Sequence, residues 1–331
     1  PSIIQSKQCN YWGNIVADYI NGYKKDSAKP KLSSGIIKYY EEDRERMFPE
    51  PMGVEFEKAM RQFCVSKKRY AYFSIKPDGS FEKDPKNPSR NKLIFKGLDP
   101  ARRDKCELLL ETYVEIIYRI LEKEPFIKNI QFLFSQIRKL FSGTMDVSNF
   151  IVVKTYKGEY KSQTAPMKYF CDRLIRSGVN VVPGERVEYI TAEPSSIPWI
   201  GEAELKNMRE SYKYISKDEY FESLKTDKPF KIDLIGYFNK VLVNPIDQIL
   251  DIAYKNEFNV VRQYLFFTKK KQLKTRIRKD KYEFESLLLY ISKYITHKIY
   301  NKKCDLSCES YISIINKVEE KFINSYKNFK M

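Results

Sequence analysis

The sequence predicts an α+β protein, with short antiparallel strands and helices in its first half and a mostly helical second half. Apolar residues alternate in short runs before residue 100 and recur at helical spacing in longer runs after it. Gly and Pro number only 12 and 15 against 25 Tyr and 21 Phe, so the chain is built of regular elements rather than linkers.

Residues 12–24 and 34–47 read as helices. The second sets Ile36, Ile37, Tyr40 and Met47 on one side and closes at Phe48-Pro49-Glu50-Pro51. Val54-Glu55-Phe56-Glu57 then alternates, which predicts Val54 and Phe56 in a core and both carboxylates on the opposite face. A strand is expected over 68–75, followed by an excursion through Pro77-Asp78-Gly79 and Pro85 to Pro88 and a return at Leu93-Ile94-Phe95.

Two helices follow, over 102–122 and 126–142. Leu109, Tyr113, Ile116, Ile117 and Ile120 stripe the first; Ile130, Phe134, Ile137 and Phe141 stripe the second, which Gly143 ends. Such stripes are core. The pattern restarts at Phe150-Ile151-Val152-Val153, predicting one domain over 1–148 and another over 149–331. In the second, helices are expected over 166–177 (closed by Gly178), 232–255 (interrupted at Pro245), 283–300 and 309–329. Residues 179–190 and 194–198 read as irregular or extended.

A chain of 331 residues that is 42% hydrophobic can bury a core, which excludes a disordered tail. Its formal charge of +17 points to a polyanionic partner, nucleic acid first, because each cation set against a phosphate releases counterions. An A/T-rich genome would enrich lysine for unrelated reasons. The surplus is uneven: Lys269, Lys270, Lys271, Lys274, Arg276, Arg278, Lys279 and Lys281 form a basic stretch broken only by Asp280. It reads as an added duplex contact or a solvated loop, and secondarily as a nuclear-import signal.

Cysteines 9, 64, 106, 171, 304 and 308 are scattered, and His297 is the single histidine. Cys304 and Cys308 lack the second pair that a zinc site needs, so reduced thiols in an intracellular protein are expected. No apolar run reaches the ~18 residues of a membrane span, so no membrane partner is expected. The chain opens on Pro1 rather than Met, which predicts a processed chain or a fragment.

The densest signal is Glu55 and Glu57 on one expected strand face, about ten residues before Lys67-Lys68-Arg69-Tyr70. An antiparallel neighbour would bring the two groups together. Carboxylates for a divalent ion beside cations for phosphates is what phosphoryl transfer on nucleic acid requires, although a solvated charged strand has the same spelling.

Order adds specificity. Phe48-Pro49-Glu50-Pro51-Met52-Gly53-Val54-Glu55-Phe56-Glu57-Lys58, then Lys67-Lys68-Arg69-Tyr70-Ala71, then Lys96-Gly97-Leu98-Asp99 with Arg102-Arg103-Asp104, resembles the late palm of family B DNA polymerases of the replicative, delta-like and large-DNA-virus type. Val153-Lys154-Thr155-Tyr156 with Tyr160-Lys161, then Gly184-Glu185-Arg186-Val187-Glu188-Tyr189-Ile190, then Asp233 with Tyr237-Phe238 and Asn244-Pro245, resembles the thumb of the same family in the same order.

The resemblance implies a partial polymerase palm of antiparallel strands and helices, followed by a mostly helical thumb. It implies that Glu57 is an auxiliary acid beside the Mg²⁺ ions. Lys67, Lys68 and Arg69 would follow the primer–template duplex through the minor groove, where acceptors lie alike for every base pair. Tyr70 would support that strand or the primer sugar. Lys96, Arg102 and Arg103 would touch primer phosphates or pair with Asp104 at the palm–thumb junction. Lys154, Tyr160, Lys161, Gly184 and Arg186 would belong to the thumb surface that wraps the product duplex.

Two departures matter. Tyr72 stands where the family often has Gly, and the two motifs that supply the metal-binding aspartates do not occur here; Tyr23-Lys24-Lys25-Asp26-Ser27 is at best a worn copy of one. The chain alone is therefore expected not to polymerise, and to act with a partner that carries the missing N-terminal portion, with a processivity factor as a further partner. Its expected place is the nucleus or a viral replication site. A polymerase-derived DNA-binding or scaffold protein without catalysis is the alternative.

Overall fold

The computed structural model describes residues 3–22, 45–98, 100, 105–162, 165–200, 210–254 and 308–330. The helix expected over 283–300, most of that over 34–47, the Tyr23 to Ser27 stretch and the 269–281 basic stretch lie outside them. The chain divides into two compact units, Pro1–Lys96 and Gly97–Met331.

The first unit holds helix α1 (Ile3–Asn21) and a three-stranded antiparallel sheet of β1 (Ala59–Ser66), β2 (Arg69–Ile75) and β3 (Leu93–Lys96), in that order. Strand β1 pairs with β2 from Ala59 opposite Ile75 to Ser66 opposite Arg69. Ala59, Phe63, Ala71, Phe73 and Ile75 share one face of this register, and all are buried. Arg61 interrupts that face with its guanidinium 4.5 Å from the Phe81 ring centre, so its stem packs apolar while its charge meets a π cloud. The excursion between β2 and β3 turns at Lys76 to Ser80 and is tied by bridges Ile75–Phe81 and Lys83–Asn91.

Strand pairing begins later than the alternation at Val54 suggests. Residues 53–58 belong to no strand, and Val54 is 37% exposed. The Asn21 side chain explains why: its amide donates to the Val54 carbonyl at 2.6 Å, and its oxygen accepts from the Val54 amide at 2.7 Å. One side chain thus satisfies the backbone groups that a strand neighbour would have used. Lys68 belongs to a turn, and residues 45–48 are not helical; the Met47 amide instead donates to the Ile20 carbonyl.

In the second unit, α2 (Glu107–Leu121) and α3 (Phe126–Phe141) carry the expected stripes except at Ile120, which is only half-buried. Leu109, Tyr113, Ile116, Ile117, Ile130, Phe134, Ile137 and Phe141 are each at most 2% exposed. Helix α2 starts later than residue 102; Lys105 and Cys106 are not helical, and Cys106 is its N-cap. A second antiparallel sheet, ordered β4 (Val152–Thr155), β5 (Arg186–Thr191), β6 (Tyr214–Ser216), is flanked by α4 (Pro166–Arg176) and α5 (Lys217–Ser223). Ser216 and Glu219 form a reciprocal capping box at the start of α5. Glu219 also takes both terminal nitrogens of Arg173, one at 2.8 Å, which fastens α5 to α4.

The helix expected over 232–255 is composite. A short turn at Leu234–Gly236 widens into a π-helix over Tyr237–Val243 before α6 (Asn244–Ala253). Pro245 has no N–H to donate, so the regular ladder cannot run through it. Buried Tyr237 pins this segment: its hydroxyl accepts from the Thr191 amide at 3.1 Å and donates to the Phe150 carbonyl. Helix α7 (Cys308–Lys330) covers α3 through Phe322, whose ring lies 6.2 Å from Phe126 and 6.4 Å from Phe134, and through an Arg138–Glu319 ion pair.

Candidate nucleic-acid interface

In the first unit the cations of interest gather at one end of the sheet. Lys67 and Lys68 form the β1–β2 turn, and Arg69 opens β2 opposite Ser66. Because β3 runs antiparallel to β2, Lys96 at its end lies opposite Tyr70, beside the same turn. Lys67, Lys68 and Lys96 are exposed; Arg69 and Tyr70 are half-buried. Lys68 has φ +62°, a left-handed conformation that a two-residue turn demands and that lysine adopts at a cost of about 1–2 kcal/mol. Tyr70 leans on Tyr72, the ring centres 6.0 Å apart.

Glu57 is not brought to these cations. It precedes β1 whereas Lys67 follows it, so the length of the eight-residue strand, roughly 25 Å, separates them. The hairpin thus overturns the expectation that an antiparallel neighbour joins the two groups. Glu57 instead pairs with Lys58 at 3.0 Å, and the Lys58 ammonium lies 5.6 Å from the Tyr72 ring centre. The hydrogen bond to Glu57, reinforced by Tyr72, raises the Lys58 pKa. Glu55 and Glu57 are both exposed, and Glu57 is already paired; this donor set does not by itself fit Mg²⁺, which demands near-octahedral oxygen ligands. Among the described residues no group of three or more His, Cys, Asp or Glu is placed to hold a metal ion.

A second group lies at one end of the β4–β5 ladder in the other unit. Thr155 is opposite Arg186, and Lys154 is opposite Val187. The Lys154 ammonium packs 5.7 Å from the centre of the Tyr189 ring. Beyond the strands, the Tyr156 amide donates to the Glu185 carbonyl at 2.8 Å, and the Gly184 amide to the Tyr156 carbonyl at 2.7 Å. Gly184 has φ +94° with nothing within 4 Å of where a Cβ would sit, so the turn's backbone conformation, rather than crowding within the chain, calls for glycine. Lys161 and Arg186 are exposed, and Tyr160 is half-buried against Tyr156.

Arg102 and Arg103 lie outside the described residues. Asp233 is structural: one carboxylate oxygen accepts from the Gly236 amide, and the other pairs with Lys213 at 2.8 Å. Sequence reasoning passed over Lys58, whose place directly after the alternating acids was the available signal, and Lys157, which stands three residues before Tyr160. No helix among the described residues is long and apolar enough to cross a membrane.

Comparison with known proteins adds a family to this geometry. The model of DNA polymerase family B matches residues 34–253. The catalytic subunit of DNA polymerase zeta from Arabidopsis thaliana is 23% identical over 219 residues, covering 62% of this chain and 10% of that protein. The DNA polymerase of Acanthamoeba polyphaga mimivirus is 25% identical, covering 62% and 11%. The match therefore spans about a tenth of the length of these relatives. Among solved structures, the family B DNA polymerase of Pyrobaculum calidifontis aligns with 68% of this chain and 25% of its own, at 20% identity and a TM-score of 0.43.

Proposed function

The chain belongs to DNA polymerase family B, and from that premise we propose that it is the palm-and-thumb portion of a DNA-directed DNA polymerase, gripping primer–template duplex during DNA replication. In this reading residues 1–148 supply the rear of the palm and 149–331 the thumb, a division by role that differs from the division into compact units at Lys96. The observation that carries the reading is the convergence of Lys67, Lys68, Arg69 and Lys96 on one end of a sheet, three of them exposed. A cationic edge of this kind holds a duplex without reading its sequence, because phosphates and minor-groove acceptors repeat at every step.

Within the reading, Tyr70 braces the turn through Tyr72, and Lys154, Tyr160, Lys161, Gly184 and Arg186 form the thumb surface along the product duplex, with Arg102 and Arg103 at the junction. Glu57 is the auxiliary acid near a centre whose main Mg²⁺ ligands come from the missing N-terminal portion. Incorporation of nucleotides then requires that partner, in the nucleus or at a viral replication site, with a processivity factor as a further partner.

The test is duplex binding by the full chain across a salt series. Replacing Lys67, Lys68 and Arg69 by Ala lowers affinity and reduces the salt slope by about 0.9 for each phosphate that is no longer neutralised. Unchanged affinity in the triple variant overturns the proposed role.

A further inference from the structure

We infer that Lys157 is a backbone-phosphate contact of the thumb surface, and that Tyr160 is the positioning residue that presents it. This rests on the duplex-gripping reading above and adds a residue to it.

The loop that leaves β4 is fixed from two sides. The Tyr160 hydroxyl accepts a hydrogen bond from the Lys157 amide at 3.1 Å, folding the loop back on its own start. Gly158, at φ +72°, meets the neighbouring turn so closely that a Cβ there would lie 2.8 Å from Cγ of Pro183. The same turn is tied to Tyr156 by the two backbone bonds that join Gly184 and Glu185 to it. A loop held this way has little conformational freedom left to lose on binding, which is what makes a surface cation effective.

Charge favours the same conclusion. Lys157 is exposed two residues beyond Thr155, the strand partner of Arg186, and Lys161 is exposed at the far side of the loop. Glu185, the acid within the facing turn, directs a carboxylate oxygen back to the Val182 amide at 3.0 Å. Lys157, Lys161 and Arg186 still outnumber Glu159 and Glu185 on this end of the sheet, three cations against two acids, and a polyanion is the partner that fits. Tyr160 spends its hydroxyl on the loop and rests its ring 6.1 Å from that of Tyr156, so its contribution passes through Lys157.

The experiment measures affinity of the full chain for a blunt DNA duplex at several salt concentrations. Lys157→Ala is expected to weaken binding about five- to tenfold near 0.1 M salt and to lower the salt slope by about one, and Lys157→Arg to restore both. Tyr160→Phe keeps the ring and removes the hydroxyl; it is expected to weaken binding on its own, while the double variant Tyr160→Phe with Lys157→Ala binds no worse than Lys157→Ala alone. Wild-type affinity and slope in Lys157→Ala overturn the phosphate contact, and additive losses in the double variant overturn the positioning role. A wild-type chain that binds no duplex overturns instead the reading on which both depend.

Discussion

The ring of Phe56 occupies the space where a side chain at residue 13 would begin: a Cβ on Gly13 would lie 2.6 Å from Cγ of Phe56, and nearer still to Cδ2 and Cε2. Gly13 sits inside α1, where alanine is intrinsically the better residue by about 1 kcal/mol. The contact reverses that preference. Gly13→Ala is expected to destabilise the chain by about 1–3 kcal/mol, because the ring must move off the helix. Urea unfolding measures it, and a stabilised variant would show that Phe56 does not pack there.

Thiol chemistry separates the described cysteines by burial. Cys9 and Cys64 are exposed, Cys106 and Cys171 buried. Burial, helped by nearby Asp172 and Glu185, pushes the Cys171 thiol up to about 11. At pH 8 a maleimide is expected to modify Cys9 and Cys64 within minutes and to spare Cys106 and Cys171 until the fold is denatured. Peptide mapping decides it, and early modification of Cys171 would contradict the packing of α4.

The Arg173–Glu219 pair gives the second unit an acid-sensitive fastening. Burial alone would raise the Glu219 pKa, but hydrogen bonds from Arg173 and Ser216 outweigh it and the net shift is downward. A carboxylate with a depressed folded pKa contributes stability above its unfolded value of 4.5, and that contribution disappears as pH falls through the lower folded value. Glu219→Gln is therefore expected to cost about 2 kcal/mol at pH 7 and progressively less below pH 4.5. Thermal melts of both proteins from pH 7 to pH 3 would show the two curves converge; a constant gap counts against the pair.

What the sequence displayed depended on how regularly apolar residues recurred. Helices α2 and α3 were legible because their stripes run four turns without a charged residue on the buried side. Strand β1 was not, since Arg61 stands on its inward face and packs against the Phe81 ring, a partner that arrives from the β2–β3 excursion. Missing β1 is also what made Glu57 and Lys67 look like neighbours. The cations of the turn were legible by spelling, and Lys96 joined them only through the β2–β3 register. Helix α5 could have been found from Ser216 and Glu219, spaced as a capping box. Asn21 standing in for a strand partner of Val54 had no signal at all, because the two lie 33 residues apart.

Lys68 sets two demands against each other at a single residue. Its left-handed backbone would be relaxed by glycine, so Lys68→Gly is expected to raise the melting temperature by a few degrees, on the order of 1 kcal/mol, while weakening duplex binding severalfold. Opposite signs in the two assays are the expected result, and a gain or loss in both would contradict it. Under the proposed reading, a negatively charged partner pressed against this edge offsets the backbone cost of a long cation at the corner, where folding alone would favour a smaller residue.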